Sequence, residues 1–190
     1  MNELGGISKH LTALTTLEKS LHLKQMQISG LLAITKGIGM NHPAADLFSE
    51  YKSFLDWVLG VKSMLLFVRE NGKWELASSL RVPDALLYSD IVDKLASYME
   101  LQNIEGDEHP LIKYFDVAIP INHKDQQIAY VFVGGFLSED DDIFDKVQII
   151  TAITQIIAVA IENKRLFKAQ IDKERLNAEM ELAAEVQKML

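Results

Sequence analysis

Five histidines are the first residues to test for chemistry: His10, His22, His42, His109 and His123. No two of them share the helical spacing of a His-Glu-x-x-His zinc site, so they offer no ready ligand set. His109, just before Pro110, could line a pocket, although a surface-loop histidine accounts for it as well. The acidic run Glu139, Asp140, Asp141, Asp142 lacks the alternating order and closing Glu of a calcium loop. Directly after Ser138 it reads instead as a helix start, a hydroxyl cap with acidic residues at the positive end of the dipole. Gly134-Gly135 stands in neither a GxGxxG nor a GxxxxGK[ST] context, so close backbone packing or a bulge explains it better than a phosphate cradle. Ser78-Ser79 lies in no GxSxG elbow and has no evident histidine partner. The chain has no cysteine, which removes disulfides, thiolate ligands, thiolate nucleophiles and thioether-linked cofactors together. The sequence thus predicts no catalytic residue, no metal centre and no cofactor, while leaving room for an unknown small ligand.

A pocket for that ligand is the remaining chemical expectation. Trp74, Tyr88, Tyr98, Tyr114, Phe115 and Phe136 could wall a site between a sheet and the segment 81–117, or could simply pack a core. Tyr88, Tyr98, His109 and Tyr114 are the candidate pocket residues.

Periodicity supplies the elements that position them. From Leu4 a heptad seam runs through Ile7, Leu11, Leu14, Leu21, Ile28 and Leu32, with Glu18, Gln25 and Thr35 in the remaining a/d slots, and predicts one long helix up to Gly37 and Gly39. After the turn at Asn41-His42-Pro43, Leu47, Phe48, Tyr51, Leu55 and Val58 place an amphipathic helix over about Ala44 to Leu59. Lys62 to Arg69 and Lys73 to Ser79, joined by Asn71-Gly72, predict a tight hairpin. Residues 84–99 read as a helix and the polar stretch through Gly106 and His109-Pro110 as a loop. Phe115 to Ile121 and Ile128 to Phe136, with a turn at Asn122 to Asp125, predict a second hairpin and a mainly antiparallel sheet. From Ser138 no Gly or Pro occurs to the end, which predicts a helix of about 50 residues, roughly 70 Å long. Val147, Ile150, Ile153, Ile156, Ile157, Val159 and Ile161 suit its first half to pack on the sheet. Its charged second half needs a partner helix, most simply a second copy of the chain. Along it Ile153, Ile157, Ala160, Lys164, Phe167 and Ile171 follow one a/d phase; Leu176, Met180, Ala183, Gln187 and Leu190 follow another.

Length and charge set the class. With 190 residues, 48% hydrophobic, one core is expected, and a net charge of -8 argues against nucleic-acid backbones as partners. The first residues lack a signal-peptide pattern, and no run approaches about 20 uninterrupted apolar residues, so a cytoplasmic chain without a membrane span is expected.

The stretches Asp116-Val-Ala-Ile-Pro-Ile, Ile128-Ala-Tyr-Val-Phe-Val-Gly-Gly-Phe, Leu137-Ser-Glu-Asp-Asp-Asp-Ile-Phe and Ile157-Ala-Val-Ala-Ile-Glu-Asn-Lys-Arg-Leu-Phe, in this order, resemble the second half of a GAF domain. The resemblance covers roughly residues 20–170 and implies an α/β (α+β) fold. It further implies an antiparallel six-stranded sheet flanked by helices, the first and last of them packed together on one face. The cyclic-nucleotide Asn-Lys-x-x-x-Phe-x-x-x-Asp-Glu pattern of some members is absent, and bilin-binding or methionine-sulfoxide-reducing members need cysteine. The tail resembles the helix that leads into stage II sporulation protein E-type phosphatases, through Glu181, Leu182, Ala183, Val186, Gln187, Met189 and Leu190. Those are metal-dependent serine/threonine phosphatases, and their metal-binding aspartates lie beyond this motif, so none is carried over.

These expectations divide the chain into a coiled-coil extension (1–19), a GAF-like sensor domain (20–168) and a signalling helix (169–190). The predicted function is a non-catalytic regulatory sensor and dimerisation module of a bacterial phosphatase. Its helices would pair in a homodimer through Leu11, Leu14, Leu21, Ile28, Leu176, Met180, Ala183 and Leu190. A GAF sensor for a histidine kinase or nucleotide cyclase and a stand-alone coiled-coil scaffold remain the alternatives. Against the kinase, the last histidine, His123, falls before the exit helix; against the cyclase, no Gly-Gly-Asp-Glu-Phe motif occurs.

Overall fold

The structure, a computed structural model, describes residues 3–70, 72–87, 91–124, 126–137 and 143–189. The turn positions Asn71 and Asp125, the pocket candidate Tyr88, the cap from Ser138 to Asp142 and Leu190 lie outside the described residues.

Both hairpins form where alternation places them. β1 (Val61–Glu70) pairs with β2 (Lys73–Leu80), and β4 (Val117–His123) pairs with β5 (Gln126–Phe136). The hairpins meet through β1 and β5, Val61 opposite Phe136 and Val68 opposite Ala129. With the short β3 (Gln102–Asn103) on β4, the antiparallel order is β2-β1-β5-β4-β3. Five strands are therefore present among the described residues where the family resemblance implies six. Between β3 and β4 the chain is spent on turns and a 3-10 turn (Ile112–Tyr114) rather than on another alternating run.

Residues 84–99 also depart from expectation: among the described residues they hold two single-turn helices, α3 (Asp84–Leu87) and α4 (Val92–Leu95). Ile91, Leu95 and Tyr98 are drawn onto the sheet. The Ser97 and Tyr98 amides bond back three residues, to Lys94 and Leu95, so the backbone tightens instead of continuing an α-helix.

Alternation splits the strands between two cores. Met64, Leu66, Val131 and Val133 face a helical layer; Leu65, Phe67, Tyr130 and Phe132 face the other way. The helical layer is α1 (Glu3–Gly39), α2 (Ala44–Trp57) and α5 (Ile143–Met189), which contribute Ile34, then Tyr51, Phe54 and Leu55, then Ile150, Ile153 and Ile157. α1 reaches α2 at Gly30, where an added Cβ would lie 2.1 Å from the Phe54 ring. Tyr51 and Thr154 hydroxyls meet at 2.7 Å inside this layer, and Thr154 donates to the Ile150 carbonyl, which leaves Tyr51 as the donor of the pair. Loss of water on burial drives the Tyr51 phenol well above its ordinary pKa, against the pull of Thr154.

Both long helices carry more apolar surface than their own domain covers. On α1, Ile34 is buried while Leu14, Leu21, Ile28 and Leu32 stand exposed, and the side chain of Leu11 is outside the described set. On α5, Ile153 and Ile157 belong to the core and not to an intermolecular seam, and Ile156 turns outward. From Leu166 to Ala184 every side chain is exposed, including Leu176, Met180 and Ala183. α5 is also long and apolar enough by composition to cross a membrane, with a mean hydropathy of 1.5 over its best window. Polar and charged residues interrupt it, so no uninterrupted apolar run of about 20 residues occurs in it. Its buried residues Ile150, Ile153 and Ile157 are seated on the sheet, as in the core helix of a soluble domain.

Candidate functional site

The face of the sheet away from the long helices holds an aromatic cluster centred on Phe132 of β5. Tyr98 meets its ring edge-on at 5.4 Å, Phe67 at 6.2 Å, and Tyr130 stacks beside it at 6.4 Å. Trp74 reaches Tyr130 from the neighbouring hairpin at 4.9 Å. These contacts follow from period-two alternation, which brings every second residue of β1 and β5 to one side.

Above this floor the loop after β3 folds into a polar clip. Asn103 Oδ1 accepts from the Glu105 amide at 2.7 Å, Gly106 takes a positive φ of 87°, and the chain turns so that Asp107 faces α4. Asp107 accepts from the His109 amide at 2.8 Å and from the Tyr98 hydroxyl at 3.3 Å, and it forms an ion pair with Lys94. Loss of water opposes its ionisation most strongly, yet Lys94, the His109 amide and Tyr98 together hold the carboxyl below the usual carboxylate range. The same arrangement raises the Tyr98 phenol: burial acts first, then the Asp107 charge and hydrogen bond. His109 Nδ1 accepts from the Leu111 amide at 3.2 Å, which shapes the approach to the buried Leu111 and Ile112.

Two of the sequence candidates, Tyr98 and His109, are thus brought together, both through Asp107. Tyr114 serves elsewhere: its carbonyl accepts from Ser63 Oγ at 2.9 Å, and its half-exposed ring lies 5.6 Å from the Lys113 ammonium. Its carbonyl also explains Gly134, where an added Cβ would stand 2.0 Å from that oxygen, so close packing is the reason for the Gly134-Gly135 pair. Sequence reading passed over Asp107 and Lys94. Lys94 sits in a single-turn helix and Asp107 in a loop, thirteen residues apart, without a periodic signal to join them.

Chemically the clip is satisfied rather than poised. Asp107 already accepts from three donors, and among the described residues no nucleophile with an adjacent base is assembled around it. Among the described residues no group of three or more His, Asp or Glu side chains gathers to hold a metal ion.

An antiparallel sheet with the N- and C-terminal helices on one face and short helices and loops on the other is the GAF fold, and comparison with solved structures bears this out. A GAF domain assigned to a sensor histidine kinase of Pseudomonas syringae pv. tomato superposes with a TM-score of 0.61 at 12% identity, covering 82% of this chain and 98% of that one. The GAF domain of a phosphoenolpyruvate-protein phosphotransferase of Coxiella burnetii gives 0.56 at 13%, covering 76% and 98%. A GAF domain of A. aeolicus in an inactive state gives 0.55 at 18%, covering 75% and 99%. No protein-family model matches the chain, and no curated protein matches it.

Proposed function

We propose that this chain is the regulatory sensor and dimerisation module of a bacterial, cytoplasmic signalling protein, itself non-catalytic, whose last helix leads into a metal-dependent serine/threonine phosphatase domain. The observation that carries the reading is α5. One helix of 47 residues begins on the sheet of a GAF fold and runs out as an exposed rod. A single helix with an apolar stripe in water requires a partner helix. The exposed stripe on α1 makes the same demand, and a second copy of the chain meets both. The solved neighbours come from signalling and phosphotransfer proteins, which supports a regulatory role. The phosphatase rests on Glu181, Leu182, Ala183, Val186, Gln187 and Met189 at the end of α5. In this reading residues 1–19 extend the coiled coil, 20–168 sense and 169–190 transmit.

The full protein that carries this chain should release phosphate from a phosphoserine peptide when manganese is added, whereas residues 1–190 alone should not. Turnover by the isolated chain sinks the non-catalytic reading. Autophosphorylation of the full protein from ATP would replace the phosphatase by a kinase, the alternative that the Pseudomonas neighbour favours.

A further inference from the structure

Between the helical layer and the sheet, on the side opposite the Asp107 clip, the packing leaves a cavity of about 110 Å³. Phe48 of α2, Val68 of β1, Ile128 of β5 and Ala158 and Ile161 of α5 give it apolar walls. Inward, past Tyr51 and Thr154, the space narrows until it no longer holds a water molecule. An apolar void of about 150 Å³ admits benzene, so this one has room for an alkyl chain of about four carbons. Its outer end lies where α5 leaves the domain: Arg165 is at the rim, and from Leu166 the helix is exposed. Lys164 ties the same point to the turn before α2, donating to the Asn41 and His42 carbonyls at 3.4 Å each.

The charged residues around the rim are committed elsewhere. Glu162 and Arg165 satisfy each other, with two guanidinium N–H groups donating to the two carboxylate oxygens at 2.8 and 2.7 Å. That fork holds Glu162 below the ordinary carboxylate range, against the opposing effect of burial. Arg69 stands opposite Trp74 in the first hairpin and packs on it, its guanidinium 5.8 Å from the ring centroid. That places its head on the far face of the sheet. Glu70 is exposed to water, and its charge, after the Glu162 fork, favours the protonated Arg165. Ala44 opens α2 at the rim, where Asp46 in the first turn offsets the positive helix end. An ion taken out of water needs a partner, and among the described residues this rim offers none that is uncommitted. The walls therefore select an uncharged occupant.

We propose that this cavity binds a small uncharged aliphatic molecule, such as a short-chain alcohol, its alkyl chain between α2 and α5 and its hydroxyl in the water at the rim. Ala158 and Ile161 belong to α5 and Phe48 to α2, so an occupant braces the exit helix against its neighbour and favours the arrangement in which α5 is seated on the sheet. Binding stands by itself; only its effect on an output domain rests on the sensor reading.

The test is titration of the whole chain with 1-butanol, butyrate and butylammonium at matched ionic strength, followed by amide chemical shifts. Butanol should give saturable shifts at Phe48, Val68, Ala158 and Ile161. Both ions should bind at least about tenfold more weakly, since each must keep its charged head hydrated without a partner at the rim. Ala158→Leu, which fills the cavity, should abolish the butanol shifts. Xenon, which has no polar group and enters dry apolar cavities, should shift the same residues of the unaltered chain, so the test does not depend on how that variant folds. Binding of either ion as tight as that of butanol, shifts centred on the Tyr98 face, butanol binding unchanged in a folded Ala158→Leu chain, or no saturable shift with butanol and xenon would each overturn the proposal.

Discussion

At the scale of single residues, Asp107 is the most informative side chain. It ties α4 to the loop after β3 through Lys94, the His109 amide and Tyr98. Hydrogen bonds to a charged group contribute about 2 kcal/mol, so Asp107→Asn should lower the melting temperature by about 6 °C in a chain of this size. The folded carboxyl titrates below its unfolded value of about 3.9, so its contribution is complete above that pH and is lost as pH falls through the lower folded value. The gap between wild type and Asp107→Asn in thermal melts should therefore be full at neutral pH and close in acid. A gap that stays constant with pH would show that the carboxylate charge is not what holds the loop.

At the scale of elements, the contact between α1 and α2 turns on Gly30. Alanine improves helix propensity by about 1 kcal/mol over glycine, but its Cβ would overlap the Phe54 ring, and overpacking a closed core costs about 1–3 kcal/mol. Strain wins: Gly30→Ala should be destabilising by about 1 kcal/mol in denaturant titration, and Gly30→Leu by considerably more. The outer stripe of α1 makes the opposite prediction. Leu21 and Ile28 are about three-fifths exposed in the single chain, so Leu21→Glu with Ile28→Glu should leave the helical signal of the folded domain in place. Light scattering should then fall from about twice 21.4 kDa to 21.4 kDa. Unchanged mass in the double variant would move the proposed interface off α1.

At the scale of the whole molecule, the domain and the exposed half of α5 are joined without a helix break. Phe167 and Ile171 follow one a/d phase and Leu176 and Met180 another, and a phase break of this kind locally over- or underwinds a coiled coil. In the proposed dimer the segment from Ile171 to Leu176 can then hold two packings of similar energy, which the domain biases. In the full protein, removing residues 172–175 should change basal phosphatase activity. Removing seven residues, one heptad, should largely preserve it, and equal effects of the two deletions would end the register mechanism while leaving the dimer standing.

Sequence by itself determined the elements whose signals are local. The 3.6-residue period specifies α1, α2 and the long α5, and alternation specifies the two hairpins, because these patterns depend on neighbours within one or two turns. Asn71-Gly72 pointed to the first hairpin from two residues. Only the tertiary structure decided how the hairpins join, since nothing near Val61 announces Phe136 as its partner. It also decided which way the apolar residues of α5 look, turning Ile153 and Ile157 into the core and Ile156 out, because a helix with apolar residues on two faces can satisfy either by rotation. The clip at Asp107 was equally illegible. Its members lie on separate elements, and a charged residue carries no periodic mark of the partner that will hold it until the backbone has brought the two within reach.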